Sequence, residues 1–149
     1  MTVLKGNWRT GLVVLAGLLA AMGLTGCFGK LKEMQGEALK LDTAFHKQMA
    51  TGDLAGIYNN SDPRYRDAVT REKSDALFSA IARKLGAPLD CKQENTNFNV
   101  STSGTTITSV CETHFAKNAT GTEKFTWLKS GDNYKLLGYN INSDDLMER

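Results

Sequence analysis

Hydrophobic residues between Leu31 and Met49 recur at intervals of three and four, a spacing that predicts one apolar face of a helix. The polar residues 51–53 mark the end of this helix. A stripe of this kind is typical of a helix that packs on a core, and we interpret it so. The residues of the stripe are Leu31, Met34, Ala38, Leu41, Phe45 and Met49.

Two further helices are predicted before the pattern changes. The first is short and breaks between Asn59 and Pro63, because the residue before a proline disfavours the helical conformation. Thr70 can cap the second, and Gly86 and Pro88 supply its stop signals. The inward residues expected on these two helices are Leu54, Ile57, Tyr58, Leu77, Phe78, Ile81 and Leu85.

The second half of the chain predicts four antiparallel strands, at 92–100, 105–115, 122–129 and 133–141. The connectors "STSG" and "SGD" join them into two hairpins, and Phe125 and Trp127 share one face of the third strand. Helices followed by strands indicate an α+β fold, in which N-terminal helices pack on a four-stranded antiparallel sheet. The length allows one such domain with a modest core.

Three segments of the domain resemble small bacterial lipoproteins of the nuclear-transport-factor-2-like, or cystatin-like, superfamily. They are "FHKQMATGDLAGIYNNSDPRYRDAV", "LFSAIARKLGA" and "YKLLGYNINSDDL", and the likeness covers about residues 37–147. It implies helices wrapped around a curved sheet to form a cone, which can be a catalytic pocket, a ligand site or only core. Fold does not define function, so the resemblance leaves the activity open.

The N-terminus has the charge and hydropathy order of a secretory signal peptide. Lys5 and Arg9 precede an apolar run from Gly11 to Leu24, and residues 1–26 contain no acidic residue. The run is shorter than the roughly 20 residues that a membrane-spanning helix needs. We therefore expect residues 1–26 to be removed on export.

The run ends in "LTGC", Leu24 to Cys27, which resembles the lipobox of bacterial lipoproteins. The resemblance implies that diacylglycerol alkylates the Cys27 thiol, that cleavage occurs before it, and that the new amino group is acylated. Several acyl chains anchor a protein stably where a single chain binds reversibly. Phe28, in place of aspartate, implies the outer membrane and its periplasmic face. The alternative is that Cys27 is an ordinary thiol.

These features divide the chain into a signal peptide (1–26), a short lipid-anchored tether (27–36), one domain (37–147) and a tail (148–149). The chain has 18 Lys and Arg residues against 16 Asp and Glu residues, and the signal peptide takes two of the basic ones. The mature domain is thus formally neutral. A neutral surface gives no electrostatic footprint for nucleic acid, and we exclude that class of partner.

Cys91 and Cys111 form an even pair in an exported domain, which favours a structural disulfide because no CxxC spacing is present. In a regular hairpin Cys91 would face His114 and Cys111 would face Glu94. That offset separates the cysteines by about 10 Å, whereas a disulfide tolerates about 7 Å between Cα atoms. The bridge therefore requires Cys91 to lie in a bulge or before the regular strand, and two buried free thiols are the alternative.

The sequence predicts no catalytic residue, metal centre or cofactor. It contains no HExxH, GxSxG or phosphate-binding glycine loop, and no motif ties His46 or His114 to a nucleophile or a metal ligand set. By strand alternation His114 is expected on the face opposite Ile107 and Phe115.

Two hypotheses about function follow. The favoured one is a noncatalytic, lipid-anchored interaction or envelope-maintenance module that contacts itself or another envelope protein through an exposed aromatic patch. The alternative is a small-molecule site inside the cone, which binds a ligand and is rarely enzymatic. The residues expected at a partner surface are Tyr58, Arg64, Tyr65 and Tyr139, and those expected to line a pocket are His114, Trp127 and Tyr139.

Overall fold

The structure is a computed structural model that describes residues 25–147. Residues 1–24 of the predicted signal peptide and the predicted tail at 148–149 lie outside the described residues, as does the side chain of Cys27. No helix in residues 25–147 is long and apolar enough to cross a membrane. Residues 25–35 and the residues from Gly36 belong to two separate units, and the second unit is the domain described below.

Five helices are present in the described chain. They are α1 (Thr25–Thr51), α2 (Leu54–Asn60), α3 (Pro63–Ala68), α4 (Arg71–Lys84) and α5 (Asp144–Met147). Thr70 caps α4, as predicted, by accepting a hydrogen bond from the backbone N–H of Lys73.

Four helices, not three, precede the sheet. The break at Asn59–Pro63 does not end the helical region, because Pro63 occupies the first position of α3, where its missing N–H costs no hydrogen bond. Asp62 caps the same helix by accepting a hydrogen bond from the backbone N–H of Arg64 at 3.0 Å. The sequence marked the break correctly but not the new helix that begins there.

The sheet confirms the predicted α+β fold. Its strands are β1 (Pro88–Ser101), β2 (Gly104–Phe115), β3 (Thr120–Ser130) and β4 (Asn133–Asn142). They lie in the order β1-β2-β3-β4, and every neighbouring pair is antiparallel. Strands β1 and β4 are therefore the two edges of the sheet.

A bulge in β1 sets the position of the cysteines. The register runs without a break from Ser101–Gly104 to Asn95–Val110, and it then shifts so that Glu94 is left over. Cys91 consequently faces Thr113 inside the paired strand, which corrects the expectation that it lies in the bulge or before the strand. The disulfide forms, with 5.4 Å between the Cα atoms of Cys91 and Cys111.

Aromatic rings fill the space between the helices and the sheet. Phe45 of α1 lies with its ring centroid 5.4 Å from Phe78, 5.1 Å from Phe125 and 5.1 Å from Tyr139. Such edge-to-face and stacked pairs stabilise a core beyond the area that they bury. Leu77, expected to face this core, is instead 39% exposed because the turn of α4 directs Phe78 and Ile81 inward.

Candidate functional site

Polar side chains are buried within the aromatic core and bond to one another. We call this set the interior polar cluster; its members are Asp42, His46, Ser109, Thr113, Glu123, Trp127 and Tyr139. Asp42 and Glu123 are at most 1% exposed and His46 is 8% exposed. Buried ionisable groups are costly, so their partners decide what the cluster can do.

Simple periodicities bring these residues together. Asp42 and His46 are four positions apart, so they lie on the same face of α1 as Phe45. Alternation along β2 turns Ser109 and Thr113 inward, and alternation along β3 does the same for Glu123 and Trp127. Tyr139 faces Phe125 across the β3–β4 ladder.

Glu123 is the centre of one half of the cluster. Its Oε2 lies 2.6 Å from His46 Nε2 and accepts a hydrogen bond from Thr113 Oγ1 at 2.5 Å. Its Oε1 accepts from the Tyr139 hydroxyl at 2.6 Å. Burial, followed by the nearby Glu123 charge, raises the pKa of Tyr139 well above its ordinary value. This hydroxyl therefore stays protonated and donates a hydrogen bond to Glu123.

Asp42 is the centre of the other half. Its Oδ1 accepts hydrogen bonds from Ser109 Oγ and Trp127 Nε1, both at 2.9 Å, while its Oδ2 lies 3.6 Å from Cys111 Sγ. Burial raises the pKa of Asp42 from 3.8 to about 6, although the bonds from Trp127 and Ser109 lower it in part. Asp42 is thus a buried carboxyl group whose pKa, at about 6, lies above that of an ordinary aspartate.

Two of the best-formed cavities in the described part of the chain do not open onto these carboxylates. One cavity of about 160 Å³ is lined by Phe45, Gln48, Trp127 and Tyr134, among others, and it includes neither Asp42 nor Glu123. Another of about 180 Å³ lies beside β2 and α5. Both are smaller than the roughly 300 Å³ at which small-molecule sites begin. The polar groups of the cluster bond to one another, and neither of these two cavities includes Asp42 or Glu123 in its lining.

The residues expected to line a pocket are separated in the structure. Trp127 and Tyr139 belong to the interior polar cluster, but His114 points to the other face of the sheet, as the alternation predicted. There its Nδ1 lies 2.8 Å from Asp90 Oδ1. This hydrogen bond and the Asp90 charge raise the pKa of His114. His114 does not line the interior.

The residues expected at a partner surface are mostly packed inward. Tyr65 is buried and its hydroxyl lies 3.1 Å from Ser74 Oγ, while Tyr58 is half-buried and donates to the Val69 carbonyl at 3.2 Å. The two rings pack edge to face. Tyr139 is held by Glu123, and only Arg64 of this set is well exposed.

Sequence reasoning missed Asp42, His46 and Glu123 as site residues. A signal was present, because Asp42 and His46 share the face of the apolar stripe that includes Ala38 and Phe45. Glu123 likewise falls in phase with Phe125 on β3. A charged residue in phase with core positions indicates a buried polar partner.

The chain matches no family model and no curated protein sequence.

Proposed function

We propose that this protein is a lipid-anchored envelope lipoprotein whose domain is a noncatalytic interaction or envelope-maintenance module facing the periplasm. The observation that carries this proposal is that the two buried carboxylates, Asp42 and Glu123, are bonded to donors of the protein itself. Trp127 and Tyr139 donate to these carboxylates, and aromatic rings pack closely around them between the helices and the sheet.

The proposed anchor is supported by the sequence of the N-terminus. A signal peptide ending in Leu24–Cys27 supplies the thiol for lipid attachment, and the disulfide pairs the other two cysteines. Disulfides persist in oxidising compartments such as the periplasm, so the bridge accords with export.

The proposed contact surface is the free edge of β1. Within residues 25–147 this strand pairs with β2 on one side only, while at the other edge of the sheet the backbone of Asp62 bonds to Leu136 of β4 at 2.9 Å. Leu89 and Val100 of β1 are 67% and 77% exposed. An edge strand with unpaired backbone groups and exposed apolar side chains can add a strand from another chain.

A small-molecule site is the second candidate, and the cavity beside Trp127 favours it. The cavity is lined by Trp127, Phe45 and Leu136, with Gln48 as a polar group. Its volume of about 160 Å³ admits only a very small ligand.

Native mass spectrometry of the full-length protein, released from the membranes of a Gram-negative host with mild detergent, tests the anchor. The expected mass begins at Cys27 and carries acyl chains, and the matched variant Cys27→Ala carries none. A chain that begins at Met1 without lipid would overturn the anchor. Added mass from a small molecule would favour the pocket instead.

Photo-cross-linking in the same membranes tests the contact surface. A cross-linking residue at Val100 should yield an adduct, whereas one at Lys124, exposed on the outward face of β3, should not. An adduct of twice the protein's mass indicates self-association, and any other mass indicates an envelope protein. No adduct at position 100 would exclude β1 as the contact.

A further inference from the structure

Three side chains capable of binding a metal ion meet beside the interior polar cluster. They are Asp42 of α1, Cys91 of β1 and Cys111 of β2, and their ligand atoms all lie within 4.8 Å of one another. Asp42 and Cys111 are fully buried and Cys91 is half-buried. In the structure described here the two sulfur atoms are joined as a disulfide, so this arrangement is the oxidised state of the three residues.

The carboxylate of Asp42 is already oriented toward the sulfur atoms. Ser109 and Trp127 both donate to Oδ1, which fixes the plane of the carboxylate and leaves Oδ2 directed at Cys111 Sγ, 3.6 Å away. Hydrogen bonds to the outer oxygen of a ligand are how metal sites hold a carboxylate in place. Ser109 and Trp127 thus have the geometry of supporting residues for Asp42 as a ligand.

We propose that the reduced protein binds one Zn²⁺-like divalent ion through the thiolates of Cys91 and Cys111 and through Oδ2 of Asp42. Thiolate sulfur and carboxylate oxygen are ligands that Zn²⁺ accepts in tetrahedral sites, where neighbouring ligand atoms lie about 3.5 to 3.8 Å apart. The 3.6 Å between Asp42 Oδ2 and Cys111 Sγ already meets that spacing. Three protein ligands leave a fourth position for water.

Reduction converts the disulfide state into the metal-binding state. A dithiol reductant gives two electrons and two protons to the disulfide, the sulfur–sulfur bond breaks, and the reductant becomes a cyclic disulfide. Cys91 and Cys111 are then thiols, and each loses its proton to solvent when the metal ion binds. Oxidation and metal binding use the same two sulfur atoms, so each state excludes the other.

The position of Cys91 allows this change. It lies on an edge strand between two register shifts, one at Leu89 and one at Glu94, and it is less buried than Cys111. Once the bond is broken, Cys91 can turn away from Cys111 without disturbing a second neighbouring strand. The ion would also offset the charge of the buried Asp42 carboxylate, which has no cationic partner bonded to it among the described residues.

Cobalt titration of the full-length chain tests the site, with Cys27→Ala in every sample so that only two thiols remain. After reduction with a phosphine under nitrogen, Co²⁺ should produce thiolate-to-cobalt absorption that saturates at one ion per chain and that Zn²⁺ abolishes. The oxidised protein should show none. Equal Co²⁺ absorption in the two states, or none in the reduced state, would overturn the proposal.

Variants assign the ligands. Cys91→Ser removes one of the two thiolates, so the absorption typical of two sulfur ligands should be lost. Asp42→Asn should weaken Co²⁺ binding by about 100-fold. Ser109→Ala, which removes a support and no ligand, should weaken it about 10-fold. Circular dichroism of each reduced variant shows whether it is folded. Asp42→Asn that folds and binds Co²⁺ with unchanged affinity and spectrum would remove Asp42 from the site.

If reduction alone unfolds the chain, a second measurement still tests the metal site. Zn²⁺ should raise the melting temperature of the reduced protein and leave that of a Cys91→Ala/Cys111→Ala variant unchanged. A reduced chain that Zn²⁺ does not stabilise would contradict the proposal.

Discussion

His46 Nε2 lies 2.6 Å from Glu123 Oε2, and this contact between residues 77 positions apart joins α1 to β3 inside the domain. The same carboxylate accepts hydrogen bonds from β2 through Thr113 and from β4 through Tyr139. One side chain therefore connects a helix with three strands. A shift of α1, β2 or β4 relative to β3 would therefore remove a hydrogen-bond partner of Glu123.

Replacement of Glu123 by alanine should destabilise the domain by about 3 to 5 kcal/mol, because Thr113 and Tyr139 lose their acceptor and the buried His46 loses its partner. Urea unfolding followed by tryptophan fluorescence measures the change. The neighbouring Lys124→Ala faces outward and should shift the free energy of unfolding by no more than about 0.5 kcal/mol. A Glu123→Ala protein as stable as the Lys124→Ala control would show that the cluster contributes little.

The free energy of unfolding of the oxidised protein should decrease as the pH rises from about 4 to about 6, because Asp42 loses its proton in this range. The pKa of this group is about 6 in the folded protein and 3.8 ordinarily, so the folded state holds its proton more tightly than the unfolded state. Its stabilising contribution is complete below pH 4, decreases as the pH rises to 6, and is lost above. The full change is on the order of 3 kcal/mol.

Asp42→Asn keeps the shape of the side chain and should remove that pH dependence. Denaturant unfolding of both oxidised proteins across this pH range gives the difference that belongs to Asp42, since all other groups titrate in both. Parallel curves for the two proteins would argue against a raised pKa at this position.

Reduction of Cys91–Cys111 in the presence of a metal chelator should lower the free energy of unfolding by about 3 kcal/mol, because the bridge closes a loop with a sequence separation of 20 residues. The Cys91→Ala/Cys111→Ala variant should show nearly the same loss and no further response to reductant. Denaturant midpoints that do not change on reduction of the native chain would contradict a structural role for the disulfide.

Gly86→Ala should be more destabilising than Gly131→Ala. Both glycines have positive φ, of 90° and 62°, which costs a residue with a Cβ about 1 to 2 kcal/mol. At Gly86 the added Cβ would also lie 3.1 Å from Ala116 Cβ, whereas at Gly131 nothing lies within 4 Å. Thermal unfolding of the two variants measures the difference, and equal losses would show that the contact with Ala116 is unimportant.

The sequence predicted the elements well because each is encoded locally. The apolar stripe on α1, the cap at Thr70 and the two hairpin turns all appear in short windows of residues. The start of α3 was missed because a proline can follow the end of one helix or occupy the first position of another. The hydrogen bond that Asp62 accepts as the cap of α3 decides for the second.

The interior polar cluster could not be predicted in the same way. Its bonds join Asp42 to Trp127 and His46 to Glu123, and only the packing of α1 on the sheet brings those residues together. The disulfide was predicted to require Cys91 in a bulge or before the regular strand, whereas Glu94 is the bulged residue, because the sequence shows that the register must shift and not where.

The bulge also determines which changes of chain length this hairpin can tolerate. Asn95 already faces Val110 and Gln93 already faces Cys111, so removal of Glu94 would leave a regular ladder from Asp90 to Ser101 with Cys91 still on the inward face. An additional residue between positions 95 and 101 would shift the ladder and turn Cys91 to the opposite face. In homologous chains, the spacing between the two cysteines can therefore shorten by one at this point, while a single insertion in β1 would separate them.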